Sequence, residues 1–234
     1  WEEHHGYPAE KISQILTSSF RGELDHVRLY KNSGRHKWVF LGYYHHQPLV
    51  ITIGRYCSPS YYKREYNLMS TLNRAAPHFF PCTLGYFAID PVKKEISNKK
   101  SQKDVLSVGF IESLVHMNTV SEFRIKEEKN DDFKKKMEIL AEEEGYAAGF
   151  VLGTTGLVLT DPHPNNTLLY SLNSDETIIK FVDAERVAYC GDLQSSYNRL
   201  VKEYTNEDNI RIEVIQNKDL FIRGLEQGLQ DSEE

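Results

Sequence analysis

Thr160-Asp161-Pro162-His163-Pro164-Asn165-Asn166-Thr167-Leu168-Leu169, followed by Ile178-Ile179-Lys180-Phe181-Val182-Asp183, is the most informative part of the chain. Asp161 and Asn166 lie five residues apart on a loop that two prolines hold open. Thr167 to Tyr170 and Thr177 to Val182 read as two short strands, with turn chemistry at Ser171-Leu172-Asn173-Ser174-Asp175 between them. Such a hairpin returns Asp183, at the end of the second strand, to the side of the loop. A carboxylate, an amide oxygen and a second carboxylate can then share one small volume. Hard oxygen ligands, few in number, suit a divalent cation completed by water and phosphate oxygens. Asp161 is left to accept or orient a hydroxyl proton. Singly, each of these residues is more often a turn cap. As an ordered set of strand, loop and hairpin behind a helix, they point to a cation site.

The helix ahead of the loop is read over about 131 to 152. Phe133, Met137, Leu140, Ala141, Ala148, Val151 and Leu152 recur at three and four, and Gly153 is expected to end the run. The dense charges between Glu122 and Glu144 read as its solvated face. Behind the hairpin, Leu193 to Tyr204 and Lys218 to Leu229 look helical. Asp231-Ser232-Glu233-Glu234 is expected to fray.

The front of the chain reads as strands. His26 to Lys31 alternates polar and apolar, Lys37 to Tyr44 is β-rich and aromatic, and Leu49 to Ile53 is β-branched. Asn32-Ser33-Gly34-Arg35 and His45-His46-Gln47-Pro48 are turns, which makes the three strands an antiparallel meander. Ser58-Pro59 then opens a helix over Ser60 to Asn73. Tyr61, Tyr62, Leu68, Met69 and Leu72 share one side of it, with Glu65 in the middle. That carboxylate is either paired in the interior or reaches water at the rim. Pro77 to Asp90 and Val105 to Ile111 read as two further strands joined by a polar loop.

Composition removes several function classes. The 234 residues are 40% hydrophobic and 26% charged, the balance of a globular chain. A formal net charge of −6 argues against a broad nucleic-acid surface. No apolar run approaches the ~20 residues of a membrane span, and the first residues do not form a signal peptide. Three dispersed cysteines, Cys57, Cys82 and Cys190, form no zinc spacing and suit a reducing compartment such as the cytoplasm. The pairs His4-His5 and His45-His46 are poorly placed to share a metal, and His163 between two prolines reads as a loop brace. No Gly-x-Ser-x-Gly, Walker loop or His-Glu-x-x-His is present.

The loop and following strand resemble the catalytic loop and metal-binding strand of the protein-kinase-like superfamily. The resemblance is nearest to the branch with aminoglycoside and choline phosphotransferases and small atypical kinases, whose loop reads Asp-x-His-Pro-x-Asn. It covers about residues 26 to 190. It implies an α+β, two-lobed fold with an antiparallel-sheet N-lobe (1–108, five strands and one helix), a hinge (109–114) and a small, mostly helical C-lobe (115–234). It implies that Asp161 is the catalytic base or hydroxyl-orienting residue, and that Asn166 and Asp183 hold Mg²⁺ on ATP. Ser33 and Gly34 would be a reduced phosphate-covering turn, with Val39 above the adenine. Val50 and Thr52 fall on the nucleotide-binding strand. Glu65 would be the helix carboxylate that pairs with a strand lysine, and Glu112 to Leu114 would offer backbone to the adenine edge.

The lysine itself is missing: Thr52 stands where the resemblance expects it. A hydroxyl cannot neutralise phosphate charge. Arg55, Arg35 and Lys37 are the candidate substitutes. The expected function is an ATP- and Mg²⁺-dependent phosphotransferase acting on a protein hydroxyl or a small molecule, with a protein partner or protein substrate completing a minimal C-lobe. A pseudokinase serving as a nucleotide-sensing or interaction module is the alternative, and nucleotidyl transfer on the same fold the third reading.

Overall fold

The computed structural model describes residues 23–29, 37–54, 59–89, 107–113, 118–172, 177–183, 186–209 and 211–233. Ser33, Gly34, Arg35, Arg55 and Leu114, and the N-terminal residues, lie outside this set. The chain divides into two compact units: Trp1–Asn67 with Cys82–Val115, and Leu68–Pro81 with His116–Glu234.

The first unit is built on a five-stranded antiparallel sheet in the order β1-β2-β3-β5-β4. Its strands are β1 (Leu24–Leu29), β2 (Lys37–Tyr44), β3 (Gln47–Gly54), β4 (Thr83–Ile89) and β5 (Ser107–Ser113). The β2–β3 hairpin turns on two residues, since Tyr44 already pairs with Gln47. His45 and His46 both take positive φ, 47° and 67°, the geometry a right-twisted two-residue turn needs. The inward side chains Phe40, Leu49, Ile51 and Ile53 are buried. The sequence reading placed a strand from Pro77. Residues 77–80 instead form a turn, with Phe79 N–H donating to the Ala76 carbonyl, and the strand begins at Thr83. Residues 109–113, expected to be a hinge, continue β5 in register with β3 and β4.

Helix α1 (Pro59–Ala75) has a narrower buried stripe than its periodicity suggests. Tyr62, Glu65, Met69, Leu72 and the following Ala76 are buried, while Tyr61 is exposed. The stripe follows intervals of three and four, so Tyr61 falls on its edge.

The second unit is mainly helical but holds more sheet than expected. β6 (Asn118–Thr119), β8 (Thr167–Leu172) and β9 (Thr177–Phe181) form a three-stranded antiparallel sheet. β7 (Val158–Leu159) pairs with β10 (Val187–Ala188). Two-residue strands carry too little pattern to be read from sequence. The helices are α2 (Val120–Glu127), α3 (Phe133–Thr155), α4 (Leu193–Tyr204), α5 (Ile212–Gln216) and α6 (Lys218–Asp231). Thr119 and Glu122 close a capping box on α2: Glu122 N–H donates to the Thr119 hydroxyl at 3.1 Å, and Thr119 N–H to the Glu122 carboxylate at 2.9 Å.

Helix α3 does not stop at Gly153. It continues to Thr155 and is ended by Gly156 at φ 68°, whose N–H reaches the Leu152 carbonyl at 2.8 Å. Gly153 serves packing: Gly145, Gly149 and Gly153 face α6, which answers with Gly224 and Gly228. A methyl group at Gly145 or Gly149 would land on the backbone carbonyl of Phe221 or Leu225. The two backbones therefore touch where most helix pairs are held apart by side chains. The expected frayed tail is tied down as well. Tyr146 donates to Asp231 at 3.1 Å, and Ser232 to the Leu229 carbonyl at 2.6 Å. No helix among the described residues is long and apolar enough to cross a membrane.

Candidate functional site

The site lies within the second unit and is built from two segments clasped together at both ends. The hairpin β8–β9 pairs Thr167 with Phe181, and Val182 N–H extends it by donating to the Asn166 carbonyl at 2.8 Å. On the other side, Thr160 N–H donates to the Arg186 carbonyl at 3.0 Å, and Leu159 pairs with Val187. Residues 161–165 on one segment and Asp183 on the other are thus held between the same two sets of ties. Between the ties, Asp183 adopts φ 66°. A side chain in the left-handed region is under backbone strain that surrounding structure must hold in place.

Asp161, Asn166 and Asp183 line one pocket together with Thr167, Arg186 and Tyr204. All three of these residues are half-buried. The Asn166 amide nitrogen donates to the Asp161 backbone carbonyl at 3.2 Å, which leaves its oxygen as the atom available to a cation. His163 caps the short turn Pro164–Asn166, its Nδ1 accepting from Asn165 N–H at 3.2 Å, as expected of a brace. Among the described residues no cluster of three His, Cys, Asp or Glu side chains gathers as a metal site. The oxygen set here is two carboxylates with an asparagine.

The remaining residues named from the sequence fall in the first unit. Val39 and Val50 are half-buried on β2 and β3. Thr52 is buried, pairs in register with Val39 on one side and Phe110 on the other, and is indeed no cation. Glu65 is 3% exposed on α1, so this carboxylate does not reach water at the rim. Lys37 opens β2, and Glu112 lies within β5.

Several residues in and behind the pocket were not legible beforehand. Arg186 is the cation among the pocket-lining residues, its Nη1 4.0 Å from an Asp161 carboxylate oxygen. It is brought there by the β7–β10 pairing. Tyr204, from the end of α4, backs the pocket with its ring stacked on Phe221 at 4.9 Å. Burial pushes its hydroxyl above the ordinary tyrosine range. Behind it Arg211, Glu144 and Glu213 form a fully buried ion cluster. Burial pushes the Glu144 carboxyl up, Arg211 pulls it down and Glu213 pushes it up again, leaving it at about 8. Arg211 is raised on balance, since Glu144 and Glu213 outweigh the effect of its burial. Glu144 sits amid the apolar stripe of α3, beside Leu140, Ala141 and Ala148. That placement was the available signal for the cluster.

No protein-family profile and no curated protein matches the chain. Among solved structures, one described as WaaP in complex with acyl carrier protein aligns over 97% of each chain at 9% identity, with a TM-score of 0.48. At that level the likeness carries no argument about activity.

Proposed function

We propose that the chain is a kinase-type phosphotransferase using ATP and Mg²⁺, with Asp161 handling the acceptor hydroxyl and Asn166 and Asp183 holding the metal. The observation that carries this reading is the double clasp, which sets a strained Asp183 beside the loop bearing Asp161 and Asn166. The donor set fits the ion: two carboxylates and one amide oxygen, few enough to leave positions for water and phosphate. Bound there, magnesium would neutralise charge on the transferred phosphate.

The chain's own residues would do the rest. Asp161 accepts or orients the proton of the attacking hydroxyl. Asn166, its nitrogen engaged by the Asp161 carbonyl, would offer its oxygen to the metal. Arg186, half-paired with Asp161, is a cation within the pocket that can meet phosphate oxygens, a role the sequence assigned to Arg55, Arg35 or Lys37. The parts given to Ser33, Gly34, Val39, Val50, Thr52, Glu65, Glu112 and Leu114 in holding the nucleotide rest on the resemblance alone.

A second reading draws on Thr52. Its place on β3, buried and without charge, favours a pseudokinase that senses nucleotide or docks a protein. Thermal denaturation with ATP, with and without Mg²⁺, separates the two. Ligand at 100 times its dissociation constant adds about 2.7 kcal/mol, a rise of roughly 5 °C or more for a chain of this size. The phosphotransferase reading expects that rise with Mg²⁺ and its loss in Asp183→Ala. A rise indifferent to metal and to Asp183, or none, supports the interaction module.

A further inference from the structure

Arg211 is a fully buried arginine immediately ahead of α5, and most of its hydrogen bonds reach back to one loop. Its Nε donates to the Pro162 carbonyl. Its Nη2 donates to the His163 carbonyl at 3.3 Å and to the Thr167 hydroxyl at 2.6 Å. Its Nη1 is turned the other way, donating to Glu144 and, at 3.4 Å, to Glu213. The plane of the group lies over the Tyr204 ring, its central carbon 5.6 Å from the ring centroid. All three nitrogens are engaged, and three of the five acceptors belong to residues 162–167.

We propose that Arg211 is a positioning residue for the candidate site: its guanidinium fixes the loop carbonyls of Pro162 and His163, and thereby the setting of Asp161 and Asn166. Two features make this more than an ion cluster joining helices. Prolines at 162 and 164 remove two backbone N–H groups from the loop, so the loop cannot brace itself through them. Its carbonyls instead find donors on a side chain held rigid by Glu144 and Glu213. Glu213 faces the guanidinium at 3.4 Å, so a carboxylate holds the fork from behind while its other edge grips the loop. Only a planar fork with five N–H donors can reach carbonyls, a hydroxyl and carboxylates at once; a lysine offers a point charge on a flexible stem.

The consequence for turnover rests on the phosphotransferase reading, but the ordering of the loop does not. The test is therefore amide hydrogen exchange, followed by NMR on the full chain. Its reporters are Asn166, whose N–H donates to His163 at 2.7 Å, and Val182, whose N–H donates to Asn166 at 2.8 Å. Arg211→Lys keeps the charge facing Glu144 and Glu213 and loses the fork. Both amides are expected to exchange at least tenfold faster in this variant, with β2 and β3 unchanged. ATP turnover is expected to fall at least tenfold in kcat, with KM for ATP within threefold. Thr167→Val removes one acceptor without touching any charge and should shift exchange the same way by a smaller factor; it decides alone should the lysine variant lose its cooperative melt. Unchanged protection of Asn166 and Val182 would overturn the proposal. Absence of turnover in the unaltered chain sinks the phosphotransfer reading and leaves the exchange result to judge Arg211.

Discussion

Val182 N–H donates to the Asn166 carbonyl at 2.8 Å, one residue past the end of the β8–β9 hairpin and one before Asp183. This bond couples the two segments of the site. It makes the residue before Asp183 an extension of the loop that carries Asp161 and Asn166. A shift of either segment would move the other.

Asp183 holds φ 66° there, a conformation glycine adopts freely and other residues adopt at a cost of roughly 1 kcal/mol or more. Asp183→Gly is therefore expected to raise the melting temperature by about 2–4 °C. The same substitution should abolish any Mg²⁺-dependent stabilisation by ATP. Asp183→Ala keeps the strain and loses the carboxylate, so it should abolish the ligand effect without the gain in stability. Calorimetry of the three proteins, with and without MgATP, checks both halves.

The glycine contact between α3 and α6 makes a prediction about stability alone. Gly149→Ala places a methyl on the Leu225 carbonyl, where backbone has no room to yield. A loss of about 2–3 kcal/mol or more is expected. Gly85→Ala in β4 meets nothing within 4 Å and should change stability by less than about 1 kcal/mol. Urea melts of the two variants provide the comparison.

The buried cluster predicts a pH dependence. Glu144 titrates at about 8 in the fold against 4.5 ordinarily, so between those values the folded chain holds a proton that the unfolded chain has released. Stability from this group is complete below about pH 4.5 and is lost as pH rises toward 8, with a slope of up to about 1.4 kcal/mol per pH unit. The groups facing it are Arg211, Glu213 and Tyr204, with Arg124 beyond, 3.6 Å from Glu213. Glu144→Gln should flatten that slope in melts taken between pH 5 and 8. A slope unchanged by the substitution would place the proton elsewhere.

The strands of the meander, helix α1 and the β8–β9 hairpin were legible because each is long enough to show its period and is bounded by proline or turn residues. That Asn166 and Asp183 come to one pocket followed from the same hairpin, since Asn166 precedes β8 and Asp183 follows β9. What could not be read depends on contacts between distant segments. The β7–β10 pair is two residues long and brings Arg186 to Asp161 without any local pattern. Arg211 is isolated in sequence, and its meaning comes from Glu144, which lies 67 positions earlier. Gly153 looked like a helix stop because glycine commonly is one, and only the approach of α6 shows why the helix tolerates it.

The most direct test of the account is transfer of label from ATP marked at the γ-phosphate, run beside ATP marked at the α-phosphate. The acceptors are the chain itself and a panel of protein and small-molecule hydroxyls. The account predicts Mg²⁺-dependent transfer of the γ-label, reduced by about 10²–10⁴-fold in Asp161→Ala and lost in Asp183→Ala. Transfer of the α-label alone, or γ-transfer indifferent to the loss of Asp161 and Asp183, would contradict it.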